Sequence, residues 1–192
     1  AKDTTAAQTT YRRLLSEHVD SKLAPAARTE LGQLLYNNKK YEDAAQFLEQ
    51  AAGDRSADAK TVAIASYYLG LCYEKLNKPD KAAAALAAYT EKGGGTDDMN
   101  ASALLEQGMS LASARESERA AQALSQMLQK YPSYKDAPVA MIKLGQVQAD
   151  MNGYDPSAQT YRQFLDRYPQ SPFAYQAHFG IGWALENQKK YD

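Results

Sequence analysis

The sequence predicts an all-α fold, a solenoid of about ten helices stacked as antiparallel pairs, and three observations carry that prediction. Glycines recur at Gly32, Gly70, Gly108, Gly145 and Gly182, with spacings of 38, 38, 37 and 37 residues. The segment Leu35 to Glu42, LYNNKKYE, returns 150 residues later as Leu185 to Asp192, LENQKKYD. No stretch sustains the period-two alternation of a half-buried strand. Self-similarity at a fixed period marks units that bury their apolar faces on their neighbours rather than in one central core.

Each glycine anchors a pattern. An apolar residue precedes four of them, Leu31, Leu69, Leu144 and Ile181, and Gln107 is the exception. Twelve residues beyond the first four glycines stand Ala44, Ala82, Ala120 and Ser157, and sixteen beyond stand Leu48, Leu86, Leu124 and Tyr161. Nineteen beyond come Ala51, Tyr89, Met127 and Phe164. These offsets trace one helical face. Glycine within a helix costs about 1 kcal/mol relative to alanine. Its regular return therefore implies close approach of two helices, called A and B here, with room made for a bulky side chain.

Turn signals fall between A and B at Asn37-Asn38, Asn77-Lys78-Pro79, and Asn152-Gly153 before Tyr154-Asp155-Pro156. A proline at the start of a helix is tolerated because its missing N–H would have no partner there. Tyr131-Pro132 and Tyr168-Pro169 end B helices. A helices are expected at 24–37, 58–76, 97–113, 135–150 and 172–187, and B helices at 4–18, 41–52, 79–91, 116–130 and 155–167. The whole chain reads as one solenoid segment: a half-repeat at 1–22, repeats at 23–57, 58–96, 97–134 and 135–171, and a half-repeat at 172–192. Both ends interrupt a repeat without polar capping units, so the parent protein is expected to continue in both directions.

The remaining features argue against other classes of function. A net charge of -1, with neither sign gathered into a block, lacks the basic excess that phosphate neutralisation requires, so nucleic acid is not expected as a partner. Direct membrane insertion is not expected either, because the run from Ala82 to Tyr89 is far short of the roughly 20 apolar residues that span a bilayer. The single cysteine, Cys72, cannot form an internal disulfide and reads as a small packing residue. His18 and His178 stand in different repeats without a ligand set, so neither a metal nor another cofactor is expected, and no catalytic constellation is visible. Gly93-Gly94-Gly95 lacks the Lys-Ser/Thr of a phosphate loop and reads as the end of a B helix or a hinge, with Thr96 or Asp97 capping the next helix.

The glycine after an apolar residue, the small residue twelve positions on, the large residues beyond and the closing proline resemble the tetratricopeptide repeat, whose period is about 34 residues. The third repeat carries the likeness in Gly108, Leu111, Ala120, Leu124 and Tyr131-Pro132. The longer period here, with YRQFLDRYPQSPFA from Tyr161 to Ala174 and a partial second copy at Tyr131-Pro132-Ser133, is similar to cell-envelope members of that family, namely the outer-membrane-assembly lipoprotein BamD and the coordinator of the Tol-Pal system. YRRLLSEHVDSKLA from Tyr11 aligns with the same segment at the 150-residue offset.

The resemblance implies a right-handed superhelix whose A helices line a concave, peptide-binding surface. Positions three before and one, four and five after each glycine would face it. These are Thr29, Gln33, Tyr36 and Asn37; Tyr67, Leu71, Glu74 and Lys75; Leu105, Met109, Ala112 and Ser113; Ile142, Gln146, Ala149 and Asp150; and Phe179, Trp183, Glu186 and Asn187. The candidate binding set drawn from them is Gln33, Tyr36, Asn37, Tyr67, Leu71, Glu74, Leu105, Met109, Ile142, Gln146 and Trp183. The competing expectation is that the apolar members pack between repeats, and that a further repeat covers Trp183. Thr29, Gln33, Tyr67 and Leu71 replace the Lys and Asn with which chaperone-binding members grip a carboxylate. The expected function is a non-enzymatic scaffold for a protein or peptide in a bacterial cell envelope, in the periplasm, with the cytoplasm as the alternative compartment. The alternative role is a structural spacer or oligomerisation arm.

Overall fold

The computed structural model describes residues 2–92 and 95–188, which form ten helices and no strand. They are α1 (Lys2–Glu17), α2 (Ala24–Asn37), α3 (Tyr41–Ala52), α4 (Ala59–Lys75), α5 (Pro79–Lys92), α6 (Asp97–Ser113), α7 (Ser117–Lys130), α8 (Ala137–Asp150), α9 (Tyr154–Arg167) and α10 (Ala174–Asn187). Gly93 and Gly94 of the glycine run, and residues 189–192 of the repeated LENQKKYD segment, lie outside the described residues. The chain divides into two compact units, 1–96 with α1 to α5 and 97–192 with α6 to α10. Within each unit every helix packs only on its first or second neighbour in sequence, so the architecture is an all-α repeat solenoid.

Helix starts follow the local chemistry. Asp58 caps α4 by accepting hydrogen bonds from the Thr61 amide at 2.9 Å and the Thr61 hydroxyl at 2.8 Å. These bonds hold its carboxyl below the ordinary carboxylate value. α8 and α10 begin two residues later than the sequence spacing suggests. A tight turn occupies that space: the Ala137 amide donates to Tyr134 O at 2.9 Å, and the Ala174 amide to Ser171 O at 3.0 Å. α7 and α9 stop immediately before Tyr131-Pro132 and Tyr168-Pro169.

All four A-to-B turns share one geometry. The residue seven beyond each glycine, Lys39, Asn77, Arg115 or Asn152, has φ of 59°, 54°, 62° or 60°. The next amide closes back across six residues: Lys40 to Leu35 O, Lys78 to Tyr73 O and Glu116 to Leu111 O at 2.9 Å, and Gly153 to Gln148 O at 2.8 Å. This is the Schellman arrangement, which satisfies carbonyls left open at the helix end and sends the chain straight into helix B.

The glycines lie where the two helices of a hairpin meet. A Cβ on Gly32 or Gly70 would stand 2.5 Å from Cγ of Leu48 or Leu86, and one on Gly108 2.6 Å from Cγ of Leu124. Each of these leucines is fully buried. In the first unit Leu31, Leu35, Leu48, Leu69 and Cys72 join one core, flanked by Tyr11, Leu15 and Tyr36. Arg28 of α2 pairs with Asp54 after α3 at 3.1 Å, and the Tyr73 hydroxyl donates to Glu49. In the second unit Met141, Ile142, Tyr161, Phe164 and Ala177 form the core beneath α8, α9 and α10.

Candidate functional site

Of the candidates from α2 and α4, the two tyrosines, Tyr36 and Tyr67, are taken up by packing. Tyr67 is only 9% exposed, and a chain of ring contacts runs through Tyr41, Tyr36, Tyr68, Tyr67 and Tyr89 with centroids 5.2 to 5.7 Å apart. Burial, helped by neighbouring groups that include Tyr41, Cys72 and Glu74, pushes the Tyr36 hydroxyl up to about 12. Gln33, Leu71 and Glu74 are half-buried, and Asn37 is exposed. Cys72 is fully buried and its thiol is pushed up to about 12, so it carries no thiolate at neutral pH.

The second unit is different. Leu105 is buried in α6, but Met109 of α6, Ile142 and Gln146 of α8 and Gln176 of α10 line one hollow of about 180 Å³. Gln146 and Gln176 also border a larger cavity of about 500 Å³, lined further by Ala149 and Asp150 of α8, Tyr161 of α9, and Tyr175, Phe179, Gly180 and Trp183 of α10. Four of the eleven candidates, Met109, Ile142, Gln146 and Trp183, thus converge on two adjoining hollows.

The floor of the larger cavity is the ring of Tyr161, which stands where the other repeats have leucine. A Cβ on Gly145 would lie 2.6 Å from this ring, and one on Gly180 would overlap its other side. Two glycines therefore admit one tyrosine, and Ser157 Oγ ties the same hairpin by donating to Gly145 O at 2.8 Å. Burial, then the carboxylate of Asp150, pushes the Tyr161 hydroxyl up to about 12, and Asp150 itself is an exposed residue of the cavity lining. The walls are unusually open for aromatic side chains: Phe179 is 75% exposed, Tyr175 69% and Trp183 39%. Trp183 is steadied by an edge-to-face contact with Tyr154, with centroids 5.5 Å apart, and the Gln176 amide donates to the Tyr175 hydroxyl at 3.0 Å.

Tyr175, Gln176 and Gly180 were not among the positions that the resemblance singles out. Their signals were present in the sequence: Tyr175, Phe179 and Trp183 recur every four residues and so share a helical face, and Gly180 precedes Gly182 in a doubled glycine. No group of three or more His, Cys, Asp or Glu side chains gathers as a metal set among the described residues, and none of the described helices is long and apolar enough to cross a membrane. The cavity can take up apolar and aromatic-binding groups, with two amides and one carboxylate to orient them.

The tetratricopeptide repeat model matches residues 1–60, 61–97, 75–135 and 142–192. The chain belongs to the tetratricopeptide repeat family. Its fold is similar to that of YrrB, with 15% identity over 95% of this chain and 85% of that one and a TM-score of 0.72. MamA shows 19% identity over 88% and 85% of the two chains, with a TM-score of 0.71. A tetratricopeptide repeat protein from Parabacteroides merdae shows 15% identity over 98% and 68%, with a TM-score of 0.66. At such identities the likeness speaks for the fold. No curated protein sequence matches the chain.

Proposed function

We propose that this protein holds a segment of a partner protein against the α8–α10 face of its second unit, as a non-enzymatic scaffold in a bacterial cell envelope. The observation that carries the reading is the aromatic cavity. Single exposed apolar residues are ordinary on protein surfaces, whereas three open aromatic rings around one concavity mark a place for a partner. Tetratricopeptide repeat proteins generally mediate contacts with proteins or peptides, and YrrB, whose fold is similar, is a TPR protein with an unusual peptide-binding site. A balanced net charge supports a protein partner over nucleic acid. The envelope, and within it the periplasm, is supported by the Tyr161 to Ala174 likeness to BamD-type and Tol-Pal-type repeats.

A benzoyl-phenylalanine cross-linker in place of Phe179, activated in the cells that make the protein, should yield one defined heterologous adduct. The adduct should vanish when Trp183→Ala is added. Adducts unchanged by that substitution would overturn the binding face. Fractionation should recover the protein in the periplasm, and recovery with the cytosol would overturn the compartment alone. For the first unit the tyrosine chain that fills the α2–α4 face favours the spacer role, which light scattering at several concentrations would separate from an oligomerisation arm.

A further inference from the structure

Resting on the reading that this face holds a partner segment, we propose that the α8–α10 cavity is built for an arginine side chain of that segment. Among the described residues the lining includes one carboxylate, Asp150, and no lysine or arginine. Asp150 is the last residue of α8, whose final turn carries no basic side chain, so the negative end of the helix dipole and the carboxylate act together beside the rings. Tyr175, Phe179 and Trp183 line the cavity with exposed aromatic rings, and a cation is drawn to such rings by their quadrupole. A guanidinium suits this site better than an ammonium: it is flat, weakly hydrated, stacks on aromatic rings and can pair with a carboxylate through two parallel N–H donors. Gln146 and Gln176 add amide oxygens at the border of the cavity. A volume of about 500 Å³ accommodates the guanidinium together with its methylene stem.

Trp183 is the only tryptophan in the chain and lies in the cavity wall, so its emission reports on this site alone. The test titrates the 192-residue chain with acetyl-Ala-Ala-Arg-Ala-Ala-amide and with its lysine and norleucine counterparts. The arginine peptide should shift Trp183 emission saturably and bind about tenfold tighter than the norleucine peptide, the ratio expected of a partly desolvated cation over aromatic rings. Asp150→Asn should weaken the arginine peptide severalfold and leave the norleucine peptide unchanged. Norleucine binding as tightly as arginine would overturn the arginine assignment and leave the peptide-holding face standing. Lysine binding as tightly as arginine would overturn the preference for a guanidinium. No response to any of the three would overturn both readings at this cavity. A shift of Trp183 that follows protein concentration alone, with a doubled mass in light scattering, would make a second copy the occupant and overturn the proposal.

Discussion

Gly70 and Gly182 have the same place in their repeats and opposite surroundings. Around Gly70 the side chain of Leu86 and the carbonyl of Ala82 leave no room for a Cβ, whereas no atom of the described residues lies within 4 Å of the position a Cβ on Gly182 would take. Alanine improves helix propensity by about 1 kcal/mol at either position. At Gly70 overpacking costs about 1–3 kcal/mol. Gly70→Ala should therefore lower the unfolding free energy in urea by up to about 2 kcal/mol, and Gly182→Ala should raise it by up to about 1 kcal/mol. Equal effects would mean that the glycines are retained for some reason other than contact with the B helix. The same accounting explains Gly180: where the floor residue is Tyr161 instead of a leucine, the ring extends past its own hairpin and needs a second gap in α10.

At the scale of the element, the helices were legible almost to the residue, because glycine spacing sets the hairpin and proline or Asx residues mark its turns. Two aspects were not. The turn centres were expected at Asn37-Asn38, yet the left-handed residue there is Lys39, and in the third hairpin it is Arg115. The position is dictated by the Schellman hydrogen bonds and not by a residue that prefers it. A left-handed conformation costs an ordinary L-residue roughly 1–2 kcal/mol, part of which glycine regains. Arg115→Gly should consequently raise the urea midpoint, by about 0.5–1 kcal/mol in free energy, while Asn152→Gly should change it less, since asparagine adopts this region more readily. A loss of stability in Arg115→Gly would show that its side chain contributes more than its backbone costs. The binding face was the second aspect. Position relative to the glycine identifies which way a residue points but not whether a neighbour fills the space, so Tyr67 and Phe179, each three residues before its glycine, lie in a packed tyrosine chain and an open cavity respectively.

Across the whole molecule the same burial that builds the two cores makes the chain sensitive to alkali. Cys72 and Tyr36 in the first unit and Tyr161 in the second are raised from ordinary values of 9.0, 10.0 and 10.0 to about 12. In each case the fold prefers the neutral form. The associated stability is complete below the unfolded-state value and is lost as pH rises towards the folded-state one. Tm should fall from about pH 9 as Cys72 begins to contribute and more steeply above pH 10 with the tyrosines, and Cys72→Ala should flatten the first part of that slope. An unchanged slope would remove the thiol from this account. The meeting of Gly32 with Leu48, Gly70 with Leu86 and Gly108 with Leu124 has a different kind of consequence. Both members of each pair lie within a single hairpin, so a duplication of one period copies lock and key together, and the gene can lengthen without a new fit having to arise. The fourth hairpin has lost that portability: Tyr161 also depends on Gly180, which belongs to the following repeat, so those two units can be inherited only as a pair.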